Sequence, residues 1–109
     1  MAWLLNDGQV IASLELADDR RSKRRGLLGR DTVDGALLLQ PARWIHTLGM
    51  RFAIDVAYLD SDRVVMATTT MATWRLGFLR VRAHSVIEAR AGAMSKWGVT
   101  VGDQLEIHA

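Results

Sequence analysis

The chain of 109 residues contains no cysteine and a single proline. Without cysteine there is no disulfide framework, no thiolate zinc site and no cysteine nucleophile. That suits a reducing compartment. An excess of one charge is also missing: 14 Lys and Arg oppose 12 Asp and Glu, a net +2. Nothing global therefore points to nucleic acid or an anionic membrane. Long hydrophobic runs are absent too. The opening Met-Ala-Trp-Leu-Leu meets Asn6, Asp7 and Gly8 at once, too short a run for a signal peptide or a membrane span. The expectation is a cytoplasmic protein that does not enter the membrane. There is no repeat, linker or low-complexity tract.

What is present is globular composition, 50% hydrophobic and 24% charged with nine glycines, in a length that fits one domain over residues 1–109. Asn6-Asp7-Gly8 supplies the positive φ angles of a tight turn between two apolar-patterned runs, which predicts a hairpin. Its second strand, over 9–16, would place Val10, Ala12, Leu14 and Leu16 on one face and Ile11, Ser13 and Glu15 on the other. Asp18 is placed to cap a short helix that Gly29 would end, with Gly26 weakening it by roughly 1 kcal/mol relative to alanine. The stretches "ALLLQ", "RWIHTL", "RFAIDVAYLD", "RVVMATTTM" and "AHSVIEA" have strand composition. Residues 72–82 read as a long loop, "AGAMSKWG" as one helical turn closed by Gly98, and "VTVGDQLEI" as two short strands about a Gly102-Asp103 turn. The fold class is α+β: a small domain dominated by antiparallel strands with one or two short helices.

Three motifs, "RGLLGR" at 25–30, "HTLGMRFAIDVAYLD" at 46–60 and "VIEARAGAMSKWGVTVGDQLEI" at 86–107, resemble in order and spacing the domain-of-unknown-function family number 192. The resemblance runs from about residue 10 to 108. It implies a small, partly open, mostly antiparallel β-barrel-like domain, found alone or after an export signal, without an established biochemical activity. Gly26, Leu27, Gly29, Arg30, Asp55, Glu88, Gly92, Gly102 and Asp103 match positions typical of that family. Many relatives carry an aromatic-Met-Lys-Asn-Thr arrangement where this chain has Ile-His-Thr-Leu-Gly-Met at 45–50, a pattern similar to a recurring branch. Ala53 stands where a proline is common.

The polar groups of residues 43–60 pose the functional question. On one unbroken strand His46 and Asp55, nine residues apart, face opposite sides. A bulge at Gly49 would shift the register by one and bring His46 to the face of Arg51 and Asp55. In that register His46, Thr47, Arg51, Asp55 and Glu88 form a polar depression for a small anionic or amphoteric ligand: the arginine grips an oxyanion and the carboxylates orient it or accept protons. The competing reading makes Asp55 and Glu88 structural, capping turns or pairing with Arg51 and Arg90, and His46 a satisfied semi-buried histidine. No catalytic residue is assigned. A nucleophile triad is disfavoured because Thr47, adjacent to His46, points to the opposite face of a strand. No metal or other cofactor is expected, since His46, His84 and His108 show no ligand-pair spacing.

The charge is uneven, with Arg20, Arg21, Lys23, Arg24, Arg25 and Arg30 clustered in a window free of acids. On a helix Arg20 and Arg24 fall between Leu27 and Leu28, while Arg21 and Arg25 point away. Such a face is either solvated or a contact surface for nucleic-acid phosphates. Trp44 and Trp97 are expected to pack, and Trp74, near Phe78 and Leu79, to form an exposed apolar patch suited to a partner. The resulting expectation is a non-catalytic module that binds a small ligand or a protein partner. The alternatives are nucleic-acid association through 20–30 and, below that, a hydrolase using His46 with an acidic partner.

Overall fold

A computed structural model describes residues 2–109, leaving aside the side chain of Arg24. Asp7 (φ +53°) and Gly8 (φ +76°) turn the chain between β1 (Ala2–Asn6) and β2 (Gln9–Ala17), as a two-residue hairpin requires. The strand then departs from simple alternation. Leu4 pairs with Ala12 and Leu5 with Val10, so Ile11 is the extra residue of a bulge. Ile11, Ala12 and Leu14 consequently pack on the same core, whereas Val10 and Leu16, expected to lie with them, are exposed.

Helix α1 (Arg20–Arg25) starts one residue later than Asp18 predicts and ends earlier than Gly29. Asp19 is the N-cap: its Oδ1 accepts from the Ser22 backbone N–H at 2.8 Å and its Oδ2 from the Ser22 hydroxyl at 3.0 Å. Gly26, at φ +48°, closes the C-terminus and turns Leu27 into the core. The chain returns as β3 (Ala36–Leu39), parallel to β2, because the intervening crossover lets the second strand run in the same direction.

The remaining strands are β4 (Ile54–Leu59), β5 (Val65–Met71), β6 (Ser85–Arg90) and β7 (Leu105–His108), with the short helix α2 (Ala93–Lys96) between the last two. They form one seven-stranded sheet in the order β5-β4-β6-β3-β2-β1-β7, antiparallel except at β2–β3. The protein is mostly β, its sheet curled into an open half-barrel with two short helices. A bridge between Val64 and Gln104 joins the two outer strands at one end. Residues 43–53, expected to extend as strand, are irregular apart from a bridge between His46 and Leu76, and of "VTVGDQLEI" only the second half is strand. Among the described residues, no helix is long and apolar enough to cross a membrane.

Both faces of the central strands β3, β4 and β6 are buried. Ala57, Leu59, Ile87, Ala89, Leu38 and Leu4 gather on one face with Met94 of α2. Val56, Tyr58, Val86, Leu37 and Leu39 gather on the other with Leu27, Ile45 and Met50. Strand β4 is buried at all six positions, which is why its sequence shows hydrophobic continuity rather than alternation with solvent.

Candidate functional site

The two buried carboxylates lie on opposite sides of this sheet. Asp55 pairs across β4–β6 with Ala89, and Val56 with Glu88. Residues facing each other across strands share a side, so Asp55 belongs with Ala57 and Ala89, and Glu88 with Val56 and Val86. The five residues His46, Thr47, Arg51, Asp55 and Glu88 therefore do not converge. Parity along one strand, the only geometry legible in the sequence, says nothing about which face a residue of another strand takes.

Asp55 is 5% exposed and fully engaged. Its Oδ1 accepts the Thr70 hydroxyl at 2.6 Å and its Oδ2 accepts the backbone N–H of Met94 at 3.0 Å. Helix α2 begins at Gly92, which has no side chain to cap it, and Asp55 supplies the missing acceptor from β4. Thr47 is completely buried: its hydroxyl donates to the Ala72 carbonyl at 2.6 Å and accepts the Arg75 N–H at 2.9 Å. It splices the 43–47 segment to the 72–82 loop and is not free to act as a nucleophile. Replacing it with valine, which keeps the shape but orphans the Arg75 N–H, is expected to cost about 2 kcal/mol. Hydrogen exchange at residues 72–77 should accelerate in the same variant. Arg51 pairs with Asp31 at 2.9 Å on the exposed surface, and Gly49, at φ +78°, makes a turn rather than a strand bulge.

Glu88 and His46 do meet, across a cavity of about 70 Å³. Its walls are the end of α1 at Lys23, Arg25 and Gly26, the turn residues Leu27 and Leu28, Leu39 of β3, and Trp44, Ile45 and Met50 of the irregular segment. Glu88 is 3% exposed and its Oε1 has no hydrogen-bond partner among the described residues. Burial among apolar side chains pushes its carboxyl up to about 7. The atom nearest a Cβ placed on Gly26 is that same Oε1, at 3.5 Å, so the loop glycine keeps the acid's surroundings open. His46, half-buried, accepts the Leu48 N–H on Nδ1 at 3.2 Å, which leaves Nε2 to carry the proton of the neutral ring. Its ring lies 5.3 Å from that of Trp44.

Reading the sequence singled out His46 and Glu88 but missed Gly26, Leu28, Trp44 and Met50 as their walls. The signal for Gly26 was the "RGLLGR" motif, read there for family resemblance and helix propensity only.

The basic cluster does not act as a unit. Arg30 forms a two-pronged pair with Glu15 at 2.9 and 3.0 Å, and this bond holds the Glu15 carboxyl below the usual carboxylate range. Lys23 donates to the Pro41 carbonyl at 3.3 Å. Arg20, Arg21 and Arg25 are exposed, and the Arg24 side chain lies outside the described residues. Among the described residues, no group of three or more His, Cys, Asp and Glu is placed to hold a metal ion.

A curled, mostly antiparallel half-barrel with a buried acid beneath a glycine-ended helix is the class of protein these observations define. The family model "Uncharacterized ACR", domain of unknown function 192, matches residues 2–107, and the chain belongs to that family. A UPF0127 protein of Pyrococcus abyssi is 28% identical over 114 residues, covering 97% of each chain. A UPF0127 protein of Thermococcus kodakarensis is 34% identical over 96 residues, covering 83% of this chain and 61% of its own. Among solved structures, a candidate transcription regulator from Sinorhizobium meliloti superposes with a TM-score of 0.79 at 22% identity, over 96% of this chain and 90% of that one. At that identity the likeness concerns the fold.

Proposed function

We propose that the protein is a non-catalytic binding module of the cytoplasm that takes a small ligand, or the polar end of one, into the cavity beneath α1. The observation that carries this reading is the unpartnered buried oxygen of Glu88 at the cavity wall. Buried polar atoms in folded proteins are nearly always hydrogen-bonded, because an unmade bond leaves the desolvation cost without compensation. A ligand that donates a hydrogen bond to Glu88 removes that cost. With its pKa near 7 the same group accepts from an ammonium when ionised and donates when protonated. A space of about 70 Å³ accommodates an end group such as an ammonium, amide or hydroxyl rather than a whole cofactor. Lys23 and Arg25 at the rim favour a ligand whose remainder carries negative charge.

Native mass spectrometry of protein purified from its own host, at moderate salt and without chelator, tests the proposal. The wild type is expected to carry extra mass that is absent from Glu88→Leu and from His46→Ala, while Asp31→Ala, which breaks only the exposed pair with Arg51, retains it. Extra mass that persists in Glu88→Leu would place the ligand elsewhere, and a bare wild type would count against the proposal.

A further inference from the structure

Between Thr69–Met71 of the terminal strand β5 and the 72–82 loop a groove of about 430 Å³ opens over Tyr58, on the side of the sheet away from Asp55. We propose that the outer edge of β5 receives an extended peptide segment as an additional strand, with a carboxylate of the peptide held by Arg75 and Arg80.

Three independent features lead there. First, β5 is a terminal strand of the sheet, attached to the β7 end of the chain, among the described residues, through the Val64–Gln104 bridge and the flanking bonds at Arg63 and Val65. From Ala67 to Met71 no second strand covers it among the described residues. Edge strands expose a row of unpaired N–H and C=O groups, and proteins usually guard them with lysine, proline, a bulge or an inward charge. Ala67-Thr68-Thr69-Thr70-Met71 has no charge and no proline, and the bulge in the pairing of β5 with β4 falls at Met66, just before this segment. Three successive threonines suit strand pairing and are exposed.

Second, the neighbouring loop is a built platform. The Thr47 N–H donates to the Arg75 carbonyl at 2.8 Å, and the N–H groups of Trp74, Gly77 and Arg80 donate to the carbonyls of Thr47, Ile45 and Arg43, each at 2.9 Å. Gly77 is pressed so close that a Cβ would sit 2.7 Å from the Ile45 carbonyl oxygen. This strapped backbone cannot turn its apolar side chains inward, and Leu76 and Phe78 remain 65% and 81% exposed beside the groove. A strand added to the β5 edge would point alternate side chains at them.

Third, the charge is complementary to an acid. From Arg63 to Ile87 the chain has four arginines and not one aspartate or glutamate. Arg75 and Arg80 line the groove. Arg80, half-buried, stacks its guanidinium 5.2 Å from the centre of the Tyr58 ring. A carboxylate is the group that satisfies such a planar donor. The peptide therefore carries an apolar side chain for Leu76 and Phe78 and a carboxylate, from Asp, Glu or its own C-terminus, for the arginines.

The test is a bead library of short random peptides, made with both free and amidated carboxyl ends, screened against the intact chain. Selected sequences are then measured by fluorescence anisotropy. Binders are expected to carry Asp or Glu beside an apolar residue, or to require a free carboxyl end, and the two library halves tell these sources apart. Affinity should fall by about tenfold or more in Arg80→Gln and in Arg75→Gln. N-methylation of alternate peptide amides, which leaves the protein untouched, should abolish binding, and amide resonances of Thr68, Thr69 and Thr70 should move with the unmodified peptide. If Arg80→Gln perturbs the fold, Arg75→Gln and Phe78→Ser, at exposed positions, provide the same comparison. Binders indifferent to N-methylation and to these variants would overturn the proposal. So would an absence of binders, including the case in which the chain instead sediments with phosphatidylglycerol vesicles.

Discussion

Raising the pH from 5.5 to 8 is expected to destabilise this protein, and replacing Glu88 is expected to abolish that loss. The Glu88 carboxyl stands at about 7 in the folded chain against an ordinary 4.5, so the native state holds the proton more tightly than the unfolded chain does. Its contribution is complete below the unfolded value and disappears as the pH rises through the folded one. The full shift corresponds to roughly 3 kcal/mol between pH well below 4.5 and pH well above 7, of which about 2 kcal/mol falls between pH 5.5 and 8. Glu15, Asp19 and Asp103 have lowered pKa values, held down chiefly by hydrogen bonds from Arg30, Ser22 and Thr100 respectively, and their losses come at acid pH, outside this window. Urea denaturation of wild type and Glu88→Gln at intervals across pH 5.5–8 provides the measurement. The glutamine variant should remove the Glu88 contribution to the slope and exceed the wild type in stability at pH 8. Equal slopes in the two proteins would show that the acid is solvated or paired in solution. The same desolvation that makes the group costly is what makes it a recognition element, because a ligand donor recovers part of the cost on binding.

The second large effect is expected at Asp55→Ala. That change leaves the Met94 N–H without an acceptor in a buried position, and releases the Thr70 hydroxyl. Two hydrogen bonds to a buried carboxyl group are involved, each worth about 1.5–3 kcal/mol, so a loss of roughly 3–6 kcal/mol is anticipated. Asp55→Asn retains one acceptor oxygen and is expected to lose about half as much. Denaturant midpoints of the three proteins check the order. In Asp55→Ala, amide exchange should rise first in residues 93–99, since α2 loses the cap supplied from β4. A variant that unfolds normally but keeps α2 protected would show that packing of Met94 and Val99, rather than Asp55, holds the helix in place. The contrast with Glu88 is instructive: two acids in neighbouring strands, both about 95% buried or more, one with both oxygens hydrogen-bonded and the other with a buried Oε1 that has no partner among the described residues.

Much of the fold is legible in local chemistry. Asn6-Asp7-Gly8 specifies its hairpin because few residues tolerate consecutive positive φ angles. The apolar continuity of "IDVAYL" and "SVIEAR" specifies strands, and the irregularity of 72–82 follows from its mixed pattern. The exposed group near Trp74 and Phe78 is legible for the same reason, since no period places those side chains on one buried face. Residues 43–53 are not legible. Their composition favours a strand, but Thr47, Gly49 and their bonds to 72–80 divert the backbone into a turn. Helix ends were misplaced by one residue at Asp19 and by three at Gly26, since adjacent aspartates and neighbouring glycines offer equivalent local caps.

The sequence by itself determined the family, the mostly β character, the absence of cysteine chemistry and the identity of two buried acids as residues that required explanation. Only the tertiary structure decided what each acid does. A strand's own sequence fixes alternation, but the side of the sheet on which a residue of β6 falls relative to one of β4 depends on the register between them. That register puts Asp55 beneath α2, where it completes a helix, and Glu88 beneath Gly26, where its carboxyl is left facing a cavity.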